Sequence, residues 1–217
     1  MSLSLDPATL APNRFVDSDH PGVVAFARQH GAGKEPKEAA IALFYAVRDG
    51  FRYNPWNVSF QPEDFTASGV LARPSHEGHC IDKALVLAAA ARSLGIPSRL
   101  HFANVRNHIG TGKLEEKLGT DLLVYHGYAE LFLDGRWIAA TPAFNAELCR
   151  VLGVAPLEFD GEHDAIFQEY DATGGHFMEY VEDHGSHASI PFDAMIEAWK
   201  FHYHRFVSAG GWPSPAR

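Results

Sequence analysis

The longest apolar stretch of the chain lies near its middle. From Ile81 to Leu94 the residues are mostly Ala, Leu and Val, and they are apolar on nearly every side of a helical projection. A helix that is apolar all round is typically buried rather than placed on a surface. Gly95 can form a left-handed C-terminal cap, and Pro97 cannot continue a helix. The sequence therefore predicts a buried central helix that ends near Gly95.

Helical spacing of apolar residues recurs on both sides of this helix. Apolar residues from Phe192 to Phe206 form one face of an amphipathic helix. The polar segment Arg106–Gly119 is partly helical near its end, and it is either a flap over a site or an ordinary connector. Further helices are predicted around Val23–Ala27, from Lys34 to Gly50, and at Ala67–Leu71 and Ala146–Leu152.

Strand-like alternation is clearest in a hairpin. Leu122–Leu133 is rich in aliphatic and aromatic residues, Asp134-Gly135 is a strong two-residue turn signal, and Arg136–Thr141 returns. This turn pairs Leu133 with Arg136, which places Thr141 opposite Tyr128 and diagonal to His126. Alternation puts His126, Tyr128, Glu130 and Phe132 on one face. Two more strands are predicted at Ser98–Val105 and His176–Val181.

Length, composition and charge restrict the class of protein. The 217 residues, 46% hydrophobic and 21% charged, suffice for a folded core, and a single domain over residues 1–217 is the simplest division. A net charge of −9 without a basic tract argues against nucleic-acid binding. No signal core and no membrane-spanning run occurs, so we expect no membrane partner and a cytoplasmic protein with reduced thiols.

Cys80 stands where the central helix begins, directly after a turn at Gly78. Unpaired amides and the helix dipole at that position favour a thiolate, as a nucleophile requires. A free cysteine taken alone is more often a small buried hydrophobe. A histidine on a strand further along, His126, supplies a candidate base and raises the case for catalysis.

Four motifs in this order resemble the core of the transglutaminase-like superfamily. They are Gly78-x-Cys80 at the helix, Gly95-Ile96-Pro97-Ser98-Arg99, His126-Gly127-Tyr128-Ala129-Glu130 and Gly135-Arg136-Trp137. Each motif alone is weak, but their combination is specific. The resemblance covers residues 51–145, with N-terminal helices before it and a C-terminal extension after it.

The resemblance implies an α+β, papain-like fold in which the nucleophile helix packs against an antiparallel sheet. It implies Cys80 as nucleophile and His126 as general base, then as acid to the leaving amine. The reaction would be acyl transfer through a thioester, as in a cysteine protease or amidase. Its partners would be a peptide, a protein or a small amide substrate, and no cofactor is required.

The third catalytic position departs from the family, because Thr141 stands where an Asp is usual. A hydroxyl can orient an imidazole but adds no negative charge. Asn145 is the alternative orienting group, and Asp160 or Asp164 could supply a carboxylate. The backbone amide of Cys80 is expected to form half of an oxyanion hole. A side chain of Trp56, Asn57 or His76 is a candidate for the other half.

Two other functions stay open. A non-catalytic member of the same fold would bind a peptide in the cleft without chemistry. A metal-binding protein would use some of the 13 histidines, such as His184 with His187 or His202 with His204. No close-spaced metal motif is present, however, and scattered histidines are usually solvated, so no metal is expected. Cys149 is most simply a buried structural thiol.

Overall fold

The computed structural model describes residues 5–56, 58–108, 112–167 and 178–204, which form an α+β fold as predicted. Within these ranges the strands are Arg52–Tyr53 (β1), Glu77–Gly78 (β2), Ser98–Asn107 (β3), Leu122–Leu133 (β4), Arg136–Ala140 (β5) and Met178–His187 (β6). The helices are Pro21–Gly31 (α1), Pro36–Gly50 (α2), Ala67–Leu71 (α3), Cys80–Ser93 (α4), Gly112–Leu118 (α5), Ala146–Leu152 (α6) and Phe192–His202 (α7).

The main sheet is antiparallel with strand order β5-β4-β3-β6. Asp134 and Gly135 form the β4–β5 turn with φ values of 50° and 85°, the left-handed conformations that a tight hairpin turn requires. Leu133 pairs with Arg136 and Ala129 with Ala140, so the predicted hairpin register is confirmed. β6 extends beyond the predicted end at Val181, and the predicted residues His176 and Phe177 lie outside the described part of the chain.

Helix α4 lies between the sheet and the N-terminal helices. Its residues from Ile81 to Arg92 are all buried, as the apolar pattern predicted. One side contacts β4 and β3, and the other contacts α1, α2 and α3. Alanines at 88–91 leave room for this close packing on both sides because their side chains are small. The central helix is thereby packed between the sheet and the N-terminal helices.

Lys83 of α4 is fully buried. In the described structure, its side chain binds only backbone carbonyl oxygens. Its ammonium donates to the carbonyl oxygens of Arg48 at 2.8 Å, Phe51 at 2.7 Å and Ala143 at 2.7 Å. Burial lowers the pKa of Lys83 to about 7. The side chain joins α4 to the end of α2, the start of β1 and the segment after β5.

A two-stranded parallel sheet that the sequence did not predict fixes the turn before α4. β1 pairs with β2 through Arg52 with Glu77 and Tyr53 with Gly78. Strands of two residues contain no recognisable alternation, which explains why the pattern missed them. This pairing attaches the turn before Cys80 to the loop that follows α2.

A charged network links β3, β4 and β6 away from the Cys80 end of α4. The His101 ring is 2.9 Å from Ser186 Oγ and 2.8 Å from the Asp183 carboxylate. Glu130 accepts from Ser186 and from Arg99, both at 2.5 Å. Burial acts to lower the pKa of His101, but hydrogen bonding and charge from Glu130 and Asp183 outweigh it, so the pKa is raised.

We expect His101→Gln to reduce stability more in acid than in alkali. A raised folded-state pKa contributes stability that is fully present below the unfolded value of about 6.5 and is lost as pH rises through the folded value. The free energy of unfolding of both proteins, measured by urea denaturation from about pH 5.5 to about pH 9, checks this. A difference between them that is independent of pH would contradict a protonated His101.

Candidate active site

Cys80 is the first residue of α4, and a hydrogen-bonded cap fixes its position. His79 Nδ1 accepts from the Ile81 amide at 3.2 Å, and Asp82 accepts from the His79 amide at 3.1 Å. Arg73 donates to the same carboxylate at 2.6 Å. A Cβ on Gly78 would lie 2.9 Å from that of Asp82, so the close approach requires glycine. The cap orients Cys80 before any substrate arrives.

His126 lies in β4 directly after an irregular stretch of the strand. The β3–β4 register shifts between Ala103 and Val105, as in a β-bulge, and Tyr125 adopts φ 57°. Asn104 Oδ1 accepts from the Tyr125 amide at 2.9 Å. His184 stacks on the Tyr125 ring at 4.1 Å, and its Nε2 lies 2.9 Å from the same Asn104 oxygen. Bulges of this kind re-aim a neighbouring side chain, here that of His126.

The structure brings Cys80 and His126 together at one cavity of about 60 Å³. Cys80 is half-buried at its edge, and His126 is buried. Leu118 at the end of α5 and Trp199 of α7 also line the cavity. The end of the segment containing α5 therefore contributes to the cavity wall.

Burial governs the protonation of the pair. It raises the pKa of Cys80 to about 11, against the opposing influence of hydrogen bonds from the Gly127, Ile81 and Cys80 amides. It also lowers the pKa of His126 to about 4. This direction is opposite to the thiolate expected from the helix terminus, because desolvation outweighs the effect of the amides on the pKa of Cys80. Both shifts favour the uncharged forms, a neutral thiol and a neutral imidazole, at neutral pH.

The third position shows no hydrogen bond to the imidazole. His126 Nε2 and Thr141 Oγ1 are both buried, and neither has a hydrogen-bond partner among the described residues. Asn145 Oδ1 instead accepts from the Tyr53 amide at 3.1 Å. Asp164 accepts from the Ala139 amide at 2.8 Å, and Asp160 binds His163 at 2.7 Å. In the described structure, neither aspartate binds the ring.

Two of the candidate oxyanion side chains, those of His76 and Trp56, are not among the described residues that line the cavity. His76 is exposed and its ring is 5.9 Å from that of Phe51. The Trp56 ring lies beneath Lys117, whose Nζ is 4.2 Å from the ring centre. Asn57 falls outside the described residues. The expected role of the Cys80 backbone amide in an oxyanion hole stays a prediction.

Sequence reasoning missed the contribution of α7 to this site. Trp199 Nε1 donates to the Val124 carbonyl at 2.8 Å, and Tyr203 Oη accepts from the Val124 amide at 2.6 Å. Both rings line the cavity. The sequence showed the apolar face of this helix. It did not show which surface that face covers, because Trp199 and Val124 are 75 residues apart in the chain.

The histidines proposed as metal ligands have other contacts. His187 Nε2 binds the His184 carbonyl at 2.9 Å, and His204 Nδ1 binds that of Phe201 at 3.3 Å. The His202 ring packs on Phe201. Within the described ranges, no group of three His, Cys, Asp or Glu residues is arranged to hold a metal ion. In the same ranges, no helix has the length and apolarity needed to cross a bilayer.

Comparison with known proteins gives one family and several distant structures. The structure of a "putative cysteine protease" from Cytophaga hutchinsonii is 20% identical, with a TM-score of 0.47 over 64% of this chain and 43% of that chain. The periplasmic domain of TgpA from Pseudomonas aeruginosa is 18% identical, with a TM-score of 0.44 over 68% of this chain and 50% of that one. The match thus covers half or less of each of these two solved chains. No curated protein matches this chain.

The family match runs from within α1 to just past β5 and does not include α7, which also lines the cavity. The model described as the transglutaminase-like superfamily aligns with residues 24–142, which is more than half of the sequence and includes both Cys80 and His126. The chain belongs to the transglutaminase-like superfamily.

Proposed function

We propose that the protein is a cysteine-dependent acyl-transfer enzyme that acts on an amide, with hydrolysis as one outcome. The observation that carries this proposal is the placement of Cys80, at the first turn of a buried helix, in one cavity with His126. A nucleophile and a base on separate rigid elements are the arrangement that covalent catalysis requires.

The resting protonation states define the first chemical step. His126 removes the thiol proton as Cys80 Sγ attacks the substrate carbonyl, and the carbonyl oxygen becomes an anion that accepts hydrogen bonds from backbone amides at the start of α4. His126 then gives the proton to the leaving amine, the carbon–nitrogen bond breaks and a thioester remains on Cys80. Water or an amine attacks the thioester, with His126 again as base.

The test is direct detection of the thioester. The protein is mixed with activated acyl esters, and the mass of intact protein is followed with Cys80→Ala and His126→Ala as negative controls. We expect one acyl group per chain, and only when both residues are present. Cys149→Ala should acylate normally, because Cys149 is fully buried and serves as the matched thiol control. Acylation that is unchanged in Cys80→Ala would refute the proposal.

The thiol reactivity should depend strongly on pH. We expect iodoacetamide to label Cys80 before Cys149, because Cys80 is partly accessible whereas Cys149 is not. Since only the thiolate reacts, the rate at Cys80 should continue to rise well above neutral pH, toward its pKa of about 11. Peptide mass spectrometry over a pH series measures both rates. A plateau near neutral pH would show a preformed thiolate and contradict the neutral resting pair.

Thr141 is proposed as the group that orients His126 once substrate is bound, since apo hydrogen bonds of catalytic groups often tighten in the complex. We expect Thr141→Val to lower turnover about tenfold by removing that hydroxyl. The free energy of unfolding should rise by about 1 kcal/mol, because a buried hydroxyl without a partner is removed. Thr141→Ser, which keeps the hydroxyl, is the control. Equal turnover in the valine and serine variants would exclude this role.

A non-catalytic peptide-binding protein is the second candidate, and one observation favours it. In the described structure, no carboxylate binds the His126 ring to stabilise an imidazolium. The acylation experiment separates the two functions, because a binding protein would form no thioester.

A further inference from the structure

The cavity at Cys80 and His126 is strongly apolar. Apart from His79, the residues that surround the pair are aliphatic or aromatic, and among the described residues no lysine, arginine, aspartate or glutamate lines the cavity. Four of the aliphatic walls are Val58, Ile81, Leu118 and Leu123. A charged substrate group placed here would lose its hydration without gaining a counterion, which is unfavourable.

Several polar atoms of the wall are already engaged. Tyr203 Oη accepts from the Val124 amide at 2.6 Å and donates to the Leu122 carbonyl at 3.2 Å. His79 Nδ1 accepts from the Ile81 amide at 3.2 Å. Trp199 Nε1 donates to a β4 carbonyl at 2.8 Å. A peptide backbone placed in the cavity would compete with these bonds for its own N–H and C=O groups, whereas a hydrocarbon chain has no such requirement.

The size of the cavity limits the chain that fits. Its volume is about 60 Å³. A cavity of about 150 Å³ holds a benzene ring, so this one accommodates a few heavy atoms. Leu118, which is buried on the last turn of α5, closes one side. A longer chain would have to displace Leu118 or the rings of α7.

We propose that the acyl donor of this enzyme contains a short, uncharged, apolar acyl group, from acetyl to butyryl in size. This inference rests on the proposed acyl-transfer function and specifies its substrate class. The carbonyl carbon would bond to Cys80 Sγ, the bond to the leaving amine would break, and the thiol proton would pass through His126 to that amine. The leaving group remains on the open side of the cleft.

Binding is tested without catalysis by ligand-observed NMR on the Cys80→Ala variant. The probes are butyramide, the charged succinamate of similar length, octanamide, and the peptide N-acetyl-glutaminyl-glycine. We expect butyramide to bind at least about tenfold more tightly than succinamate, because a carboxylate would be desolvated without a partner. In Leu118→Ala combined with Cys80→Ala, octanamide should gain affinity. The same combination with Leu71→Ala, a truncation on α3 outside the cavity, should leave octanamide unchanged.

The outcomes separate this inference from the proposed function. Succinamate, octanamide or the peptide binding as tightly as butyramide would overturn the inference, even if activated esters acylate Cys80. Selective butyramide binding supports the inference. If wild-type protein then forms no thioester with p-nitrophenyl butyrate, the acyl-transfer function fails while the apolar site stands.

Discussion

Lys83→Met is expected to lower the free energy of unfolding by about 3 kcal/mol or more, because each buried carbonyl left without a donor costs about 1–3 kcal/mol. The ammonium binds three carbonyl oxygens, at 2.8, 2.7 and 2.7 Å. Methionine keeps most of the apolar stem and the volume, so packing alone does not account for the loss. Urea denaturation monitored by circular dichroism gives the measurement.

Lys37→Met is the matched control for this substitution. Lys37 forms an ion pair with the exposed Glu162 at the surface, and such pairs contribute only about 0–1 kcal/mol. A change of similar size in both variants would show that Lys83 is no more important than a surface lysine. Among the described hydrogen bonds, only that from Lys83 attaches the segment around Ala143 to α4. If Lys83→Met remains folded but opens locally, amide hydrogen exchange should therefore increase first in this segment.

Local sequence rules predicted the elements that carry the candidate site. The apolar run after Cys80 predicted a buried helix, and Asp134-Gly135 predicted the turn and the register of the hairpin. These features depend on residues close together in the chain, where turn chemistry and periodicity are decisive. Helix position and strand alternation pointed to Cys80 and His126 among the two cysteines and 13 histidines, and the family resemblance implied the same pair.

Features that depend on distant contacts could not be predicted in this way. Lys83 is one of three charged residues in a largely apolar helix, and its role becomes visible only when three carbonyls from two other parts of the chain surround it. The direction of the Cys80 pKa shift could not be predicted for the same reason. Helix position alone favours the charged form of Cys80, but the degree of burial, which exceeds that effect, depends on walls supplied by α5 and α7.

The distortion before His126 is a second feature that alternation could not reveal. Tyr125 is a bulky residue with φ 57°, a conformation that costs about 1–2 kcal/mol for residues other than glycine. Backbone conformations of this kind persist where surrounding groups hold them, and they concentrate at functional sites. Asn104 and His184 are the groups that hold Tyr125.

We therefore expect Asn104→Ala to reduce the turnover of the proposed reaction by about a hundredfold, since a displacement of about 1 Å of a catalytic group can have that effect. The substitution removes the oxygen that accepts from the Tyr125 amide, so the strand can relax and turn His126 away from Cys80. Asn104 acts through the backbone and is a positioning residue. Steady-state kinetics with an acyl ester, together with thermal unfolding, measures the effect.

Tyr125→Gly distinguishes positioning from a general loss of structure. Glycine adopts a positive φ without strain, so the Asn104 oxygen is no longer needed to hold this conformation. In the Tyr125→Gly background, Asn104→Ala should therefore reduce turnover far less than it does in the wild-type protein. A double-mutant cycle measures the difference between these two effects. Glu182→Gln, which alters only the partner of the Asn104 amide nitrogen, should change turnover little. If Asn104→Ala costs the same in both backgrounds, strain at Tyr125 does not position His126, and the bulge is a feature of sheet packing alone.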